Sequence, residues 1–314
     1  MRSIPILFTF DKSLVLPACV CISSLLKHAD ADSFYEIVIL HDEHEPVDDG
    51  RLRQLTSLYP QSFSIRFIPI SKEFTNAYEI RGIPATAYFR LLAAELLPEY
   101  DKILYSDVDV IFREDLSKYY ETPLDDFCFG GVDTCSFLRP DDREYIRKEL
   151  GLDPSNGYFY SGNLVINLKR IRQKGLVPVF RELGKRDFKF QDMDIINIAC
   201  NGEFKDLGPS FCLTNYLYTL IVTHPSEMAG RYGEAALRHA LQQGIVHYNG
   251  PKPWKEECIN MDIWWKYYRE SVYFDERFSY DFWESRQNQL ERLTLLKRIK
   301  LLLRYPIDKK NVKL

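Results

Sequence analysis

The sequence predicts an α/β fold in which helices cover a mostly parallel central sheet, and three observations support this prediction. Short apolar runs that suit buried strands alternate with segments that suit helices in the N-terminal part of the chain. The carboxylates Asp107 and Asp109 interrupt one such run, at the kind of position where open α/β sheets bind ligands. With 314 residues, of which 46% are hydrophobic, the chain can form one large core or two small ones.

The elements follow from local patterns along the chain. Apolar, aromatic and β-branched residues dominate the expected strands, whereas the expected helices are longer or have an apolar stripe. Because parallel strands need a crossover that is usually a helix, their alternation favours parallel pairing. The expected strands are 4–10, 35–40, 63–68, 102–112, 127–132, 164–168 and a short strand ending at His247. The expected helices are 19–27, 51–59, 86–97 and a segment around 195–199.

Composition excludes several classes of protein. A formal net charge of −4 gives no global attraction to nucleic acid, so we expect no nucleic-acid partner. The sequence contains no run of 18 apolar residues, so we expect no membrane-spanning helix. The first apolar run is too short for a signal peptide. The 7 cysteines are odd in number and lack zinc spacing, which indicates reduced, half-buried thiols in a cytoplasmic protein. The glycines of a phosphate-binding loop are also missing, so a bound nucleotide would need a metal for its phosphates.

The acids Asp107 and Asp109 are candidate metal ligands. A tight bend after the strand would aim both carboxylates at one Mg²⁺ or Mn²⁺ ion. The alternative is a surface turn with two solvated acids. His247 follows a short strand, and its imidazole would complete a site begun by two carboxylates. A lone histidine is usually only a hydrogen-bonded residue, but its pairing with the two acids favours metal binding.

Other charged residues are also candidates for ligand binding, and Arg90 and Asp192 each have a second interpretation. Arg90 lies in an apolar helix and must find an anion or extend to the surface. Lys252, five residues after His247, would reach a phosphate as a point charge. Asp192 and Asp194 precede an apolar run, where an acid ordinarily caps a helix; alternatively, Asp192 faces a sugar hydroxyl.

Together these segments resemble glycosyltransferase family 8, which contains bacterial lipopolysaccharide galactosyl- and glucosyltransferases and glycogenin. The resemblance runs in family order from about residue 4 to residue 270. The matching segments are Thr9-Phe10-Asp11, Ala87-Tyr88-Phe89-Arg90-Leu91, Lys102 to Asp109, Ser161-Gly162, Asp192-Met193-Asp194 with Asn197, and His247 to Trp254.

The resemblance implies a GT-A fold, a UDP-sugar donor, Mn²⁺ or Mg²⁺, and retention of anomeric configuration. It implies metal binding by Asp107, Asp109 and His247, and catalytic roles for Asp192 and Arg90. Uracil and ribose would lie against Thr9, Phe10 and Asp11. The donor sugar or its phosphates would contact Arg90, Asp133 and Asp192, and the diphosphate would contact Lys252. The implied donor-binding residues are Thr9, Phe10, Asp11, Arg90, Ser106, Asp107, Val108, Asp109, Asp133, Asp192, Asn249, Gly250 and Lys252.

The sequence departs from the family pattern at three places, and the first two departures leave the exact sugar and the acceptor open. Tyr160 replaces the usual asparagine, and Met193 replaces the usual glutamine at the face of the donor sugar. The turn from Gly250 to Lys252 is one residue shorter than usual, which puts the reach of Lys252 in doubt.

The expected function is that of a retaining, Mn²⁺-dependent hexosyltransferase. Galactose or glucose would move from a UDP-sugar to a hydroxyl of lipopolysaccharide core or another lipid-linked surface glycan. Two alternatives stay open: a nucleotide-sugar-binding protein with weak or no transfer activity, and a self-glycosylating primer like glycogenin.

We expect a catalytic domain over residues 1–270 and a basic helical tail over residues 271–314. An aromatic-rich segment, 256–280, is expected to pack as core, and 286–304 has leucines at helical spacing. A basic amphipathic helix predicts a peripheral contact with the inner face of the cytoplasmic membrane; the alternatives are a docked helix or a dimer contact. From residue 292 onwards, one acid, Asp308, stands against eight basic residues, at 292, 297, 298, 300, 304, 309, 310 and 313.

Overall fold

The computed structural model describes residues 1–47, 49–60, 62–74, 85–291, 294–297 and 299. The chain divides into two units, Met1–Asn249 and Gly250–Leu314. The predicted boundary between residues 270 and 271 lies inside the second unit.

The strands of the first unit form two sheets. In the larger sheet the strand order is β3-β2-β1-β4-β7-β6-β8, and in the smaller one it is β5-β10-β9. The strands are β1 Arg2–Thr9, β2 Ser33–Asp42, β3 Phe63–Ile70, β4 Ile103–Ser106, β5 Val110–Ile111, β6 Phe129–Gly131, β7 Asn163–Ile166, β8 Phe204–Asp206, β9 Leu213–Thr214 and β10 Val246–His247.

Helices lie between most of these strands. Short 3₁₀ helices cover Lys12–Leu14, Ala85–Leu92, Ser136–Leu138 and Pro154–Asn156. The α-helices are α1 Val15–Lys27, α2 Asp49–Arg53, α3 Leu55–Leu58, α4 Ala93–Leu96, α5 Ser117–Glu121, α6 Pro140–Lys148, α7 Leu168–Lys174, α8 Leu176–Leu183, α9 Gln191–Ala199, α10 Asn215–Thr223, α11 Pro225–Tyr232, α12 Glu234–Gln243, α13 Met261–Glu270 and α14 Glu276–Glu291.

The large sheet is mostly parallel, as predicted. Parallel pairs join β3, β2, β1 and β4, and another joins β6 to β8. Only β7 runs against its neighbours, pairing antiparallel with both β4 and β6 in the described part of the chain. Side chains on both faces of β1 are fully buried, which is the burial expected for a strand with helices on both sides.

Most predicted elements begin or end at other residues than predicted, and in four of them the difference also changes the local architecture. The strand expected at 102–112 is two strands in different sheets, because the chain turns out of the large sheet after Ser106. The strand expected at 164–168 ends at Ile166, since Asn167 accepts the Arg170 N–H at 3.0 Å and begins α7. The helix expected at 51–59 is two short helices, and the one expected at 86–97 is mainly 3₁₀.

Asn197 on α9 holds the polar loop that precedes β7. Its side chain accepts the Phe159 N–H at 2.9 Å and donates to the Phe159 carbonyl at 2.9 Å. A second donated bond reaches the Met193 carbonyl at 2.8 Å. Since the amide is buried, both peptide groups of Phe159 depend on it for their partners.

All seven cysteines are free thiols. Six of them are buried, more deeply than the half-buried state expected, and Cys258 is partly exposed. Burial raises the pKa of Cys258 to about 12.

The second unit has a small aromatic core of its own. Trp265 of α13 stacks on Phe278, meets Tyr268 edge to face and packs at a tilt against Phe282. Its indole N–H donates to the Pro253 carbonyl at 2.9 Å. The aromatic-rich segment thus forms core within this unit. Of the predicted helix 286–304, residues up to 291 belong to α14; residues 292, 293, 298 and 300–314 lie outside the described residues. Among the residues that are described, no helix has both the length and the apolar character needed to cross a bilayer.

We expect Asn197→Ala to destabilise the protein. Each Phe159 peptide group left without a partner should cost about 1–3 kcal/mol in the free energy of unfolding. Denaturant titration followed by circular dichroism would measure the loss. The exposed Asn201→Ala is a matched control, expected to change stability by less than about 0.5 kcal/mol. Equal stability of the two variants would contradict this role for Asn197.

Candidate active site

The acids Asp107 and Asp109 lie in the turn between the two sheets. The turn begins where β4 ends and closes where β5 begins, so the backbone is fixed at both ends. The Asp107 N–H donates to the Gly162 carbonyl at 2.8 Å, and the Tyr248 N–H donates to the Asp109 carbonyl at 2.9 Å. Both carboxylates are partly exposed, at 27% and 13% of the side-chain surface, so a ligand can reach them.

His247 at the end of β10 faces both carboxylates. Its Nε2 is 3.2 Å from Asp109 Oδ1 and 3.6 Å from Asp107 Oδ2. One ligand atom from each of the three residues lies within 4.8 Å of the other two. Two carboxylate oxygens and an imidazole nitrogen are a suitable donor set for Mn²⁺ or Mg²⁺. The structure therefore brings together the three predicted metal ligands.

Gly162 makes this convergence sterically feasible. A Cβ at this position would collide with His247 Cε1 and lie 2.8 Å from Asp107 Oδ2. Gly162 also accepts the Asp107 N–H, so the same residue positions the acid and leaves space for the imidazole. A side chain at position 162 would therefore displace His247 or Asp107, so the three predicted ligand atoms can approach one another only because this residue is a glycine.

The electrostatics of His247 favour a positive charge at this point. Burial lowers the pKa of the imidazole, but the neighbouring Asp109 carboxylate outweighs burial, and the pKa rises to about 10. Cys212 Sγ lies 3.4 Å from Nδ1, on the side of the ring away from the acids. Without a metal, the Asp109 carboxylate therefore favours a proton on the ring where a cation would otherwise bind.

Arg90 is buried, and it links two of the acids. Its Nη2 is 2.9 Å from Asp107 Oδ1, and its Nε is 3.3 Å from Asp192 Oδ2. The guanidinium also donates to the Ala87 carbonyl at 2.7 Å and to the Ser161 carbonyl at 2.8 Å. Burial lowers the pKa of Arg90, but the two carboxylates more than offset this effect and keep the group charged. The alternative of an arginine extended to the surface is wrong, because only 6% of Arg90 is exposed.

Asp192 and Asp194, two residues apart on the first turn of α9, have different environments. Burial raises the pKa of Asp192, whereas Arg90 beside it lowers that pKa. Asp194 accepts hydrogen bonds from the Tyr145 hydroxyl at 2.6 Å, from the Phe190 N–H at 2.8 Å and from the Tyr158 hydroxyl. Asp194 therefore stabilises the first turn of α9, whereas Asp192 lies against Arg90.

Two neighbours of the site were not identified from the sequence as functional. Tyr105 donates its hydroxyl proton to Asp107 Oδ1 at 2.6 Å, and its ring lies 4.2 Å from the Arg90 guanidinium carbon. Cys212, the neighbour of His247, appeared only as one of seven thiols. Neither residue carries a sequence signal, since each acquires its role through pairing of distant strands.

Several predicted donor-binding residues lie next to this cluster. Thr9 Oγ1 is 3.1 Å from the Tyr105 hydroxyl, and Ser106 Oγ donates to the Asp107 carbonyl at 2.8 Å. Val108 and Phe10 are buried, at 3% and 1% exposure. Asp11 accepts the Ser13 N–H at 2.7 Å and caps the 3₁₀ helix that follows.

The remaining predicted residues have other surroundings. Asp133 accepts N–H bonds from Tyr158 and Cys135 and pairs with Arg231 at 2.8 Å. Asn249 Oδ1 accepts the Asn215 N–H at 3.2 Å. Tyr160 is buried and Met193 is partly exposed, while Gly250 and Lys252 belong to the second unit.

Comparison with known proteins identifies relatives of this chain. Residues 5–258 match the sequence model of glycosyl transferase family 8. Glycosyltransferase GlyF of Streptococcus pneumoniae is 25% identical over 269 residues, which cover 83% of this chain and 60% of GlyF. Lipopolysaccharide 1,2-glucosyltransferase of Escherichia coli K12 is 24% identical over 252 residues, or 74% of this chain and 70% of that protein.

Solved structures show the same fold. The galactosyltransferase LgtC, in complex with donor and acceptor sugar analogues, superposes with a TM-score of 0.73 over 88% of this chain and 99% of its own, at 24% identity. The bifunctional glycosyltransferase WbbM gives a TM-score of 0.68 at 22% identity, over 87% of this chain. This chain spans 50% of the WbbM chain and 60% of GlyF.

We expect Gly162→Ala to weaken Mn²⁺ binding by at least about 10-fold, because the added methyl group displaces His247 or Asp107. Isothermal titration with Mn²⁺ would measure this change. Gly230→Ala is the matched control, since a Cβ there meets nothing within 4 Å and Gly230 lies inside α11. Unchanged Mn²⁺ affinity in Gly162→Ala would show that these residues do not hold the cation.

Proposed function

The chain belongs to glycosyltransferase family 8, and from this premise we propose that it is a retaining hexosyltransferase that uses a UDP-sugar donor and Mn²⁺. By family it is a glycosyltransferase, and its fold is GT-A. The observation that carries the proposal is the convergence of Asp107, Asp109 and His247 within 4.8 Å. Such a site suits a substrate whose diphosphate needs a divalent cation, because the chain has no glycine-rich phosphate loop.

In this proposal Asp107, Asp109 and His247 hold the cation. When bound, it would supply a Lewis acid that neutralises the charge developing on the departing diphosphate. Tyr105 and Arg90 share Asp107 Oδ1, so they orient this carboxylate and leave Oδ2 on the side of His247.

Arg90 acts mainly by positioning. Its guanidinium donates to the carbonyls of Ala87 and Ser161 and pairs with the carboxylates of Asp107 and Asp192. With 6% of the residue exposed, little of the guanidinium is left to approach a phosphate. Its charge nevertheless stabilises the carboxylates on either side, which places Asp192 beside the metal ligands.

For the chemical step we propose attack of the acceptor hydroxyl from the face that the diphosphate leaves. The hydroxyl oxygen bonds to the anomeric carbon as the bond from that carbon to the β-phosphate oxygen breaks, and the hydroxyl proton passes to the departing phosphate. A double displacement would instead need a free carboxylate below the sugar. Asp194 is fully engaged by two phenols and a backbone N–H, and Asp192 is paired with Arg90, which supports same-face attack.

The proposed donor and acceptor follow from the relatives. The names of two similar proteins, a lipopolysaccharide glucosyltransferase and a galactosyltransferase, support glucose or galactose as the sugar and a surface glycan as the acceptor. Uracil and ribose would lie near Thr9, Phe10 and Asp11, and Asp133, Asn249, Gly250 and Lys252 remain proposed donor contacts.

We expect Asp109→Asn to lower Mn²⁺-dependent release of UDP from a UDP-hexose by at least about 100-fold, because one charged ligand is lost. Chelation with EDTA should abolish release in the wild type. The control is Asp126→Asn, whose carboxylate is 94% exposed. If EDTA does not change the release of UDP by the wild type, the proposal is wrong. Donor binding without release would favour a nucleotide-sugar-binding protein, and a donor-dependent gain in intact mass would favour a self-glycosylating primer.

The proposal extends to the C-terminal tail as a peripheral membrane contact. Leu295 and Leu296 are 74% and 79% exposed, next to a strongly basic segment. Each basic residue adds about 1 kcal/mol of attraction near an anionic surface. Deleting residues 292–314 should therefore abolish co-sedimentation with phosphatidylglycerol vesicles and leave the weak binding to phosphatidylcholine vesicles unchanged. Equal co-sedimentation of the two proteins would contradict the membrane contact.

A further inference from the structure

The small sheet carries Asp109 and His247 at one end, but its strands are very short. β5 and β10 pair antiparallel through only two positions, Val246 with Ile111 and His247 with Val110. So few ladder bonds specify register weakly, and a shift of one residue would turn His247 to the opposite face of the sheet. Another contact must therefore keep the two strands in register.

Arg113, two residues after β5, makes such a contact at the other end of the sheet. Its Nε donates to the Gly244 carbonyl at 2.6 Å, and Nη2 and Nη1 donate to the carbonyls of Ala240 and Leu241 at 2.9 and 3.2 Å. These carbonyls belong to the C-terminal end of α12, where a cation also complements the helix dipole. Gly244 leads into β10 three residues before His247.

We propose that Arg113 is a positioning residue that fixes the register of β10 against β5 and thereby places His247 opposite Asp109. This inference rests on the metal site of the proposed function. The strand pair has one fixed point at Arg113 and another at the Tyr248 N–H, which donates to the Asp109 carbonyl. Between these points lie only the two paired positions, so a change at one end reaches the other.

The surroundings of Gly244 support a specific fit at the Arg113 end. A Cβ on Gly244 would lie 2.6 Å from the Ala240 carbonyl oxygen and 3.1 Å from Ser210 Cα. Its neighbour Ile245 is hydrogen bonded on both sides, donating to Ser210 at 2.8 Å and accepting from Leu213 at 2.7 Å. The chain entering β10 is thus held tightly, and Arg113 ties it to β5.

A purely structural role for Arg113 as a helix cap is the competing explanation. Arg172 allows the two explanations to be separated, because it also donates to backbone carbonyls, those of Ala94 at 3.3 Å and Tyr100 at 3.0 Å. Its contacts lie beside the large sheet and involve none of the metal ligands. Arg172→Met should therefore lower stability as Arg113→Met does, but leave the metal site intact.

The experiment compares wild type, Arg113→Met, Arg113→Lys and Arg172→Met as full-length proteins. Two quantities are measured: Mn²⁺ affinity by electron paramagnetic resonance of free Mn²⁺, without donor, and hydrogen exchange of the Tyr248 amide. We expect Arg113→Met to weaken Mn²⁺ binding about 10- to 100-fold and to accelerate Tyr248 exchange. Arg113→Lys keeps the charge but loses the fork, so it should be intermediate, and it decides the test if Arg113→Met does not fold.

The outcomes separate this inference from the proposed function. Wild-type Mn²⁺ affinity and wild-type Tyr248 exchange in Arg113→Met would overturn the role of Arg113, as would equal effects in Arg172→Met. If wild-type protein binds no Mn²⁺, the proposed metal site fails, and Tyr248 exchange alone decides whether Arg113 sets the register.

Discussion

A buried guanidinium between two carboxylates is the interaction on which the rest of the site depends. Arg90 comes from a 3₁₀ helix, Asp107 from the turn after β4, and Asp192 from α9, so one side chain joins three separate elements. A buried charge is tolerated only with partners, and removal of any member would leave another uncompensated. The loop before β7 joins the same group through the Ser161 carbonyl. The acids that face the ligand are therefore oriented by the interior of the protein.

The mixed character of the large sheet contributes to this arrangement. Because β7 runs antiparallel to β4, the loop that precedes β7 lies at the same edge as the end of β4. Gly162 in that loop then meets Asp107, and Asn197 holds the loop to the helix that carries Asp192. A parallel strand at this position would enter from the opposite edge. The one antiparallel strand of the described sheet thus begins at the edge where the elements of the site meet.

Much of the architecture was predictable from the chain itself, and the reason lies in local patterns. The first strand is an almost continuous apolar run, and the second and third are rich in apolar, aromatic and β-branched residues. The paired acids after β4 have a spacing with chemical meaning even before any fold is known. Tyr105 and Cys212 differ, since a buried tyrosine in a strand and a lone thiol look like ordinary core. The break at Ser106 was missed because Val110 and Ile111 continue the apolar pattern into a different sheet. The roles of Tyr105 and Cys212 arise from the pairing of distant segments, and neither residue belongs to a pattern that would mark that role in a single sequence.

The burial of the cysteine thiols has a practical consequence. A reagent such as a maleimide meets one partly accessible thiol in the folded molecule, and the high pKa of Cys258 keeps even that one mostly protonated and slow to react. Complete unfolding exposes the other six, whereas partial opening exposes only some of them. The rate of alkylation under mild conditions therefore reports transient opening of the native state, and the number of tags carried by each molecule distinguishes partial from complete opening without any engineered probe.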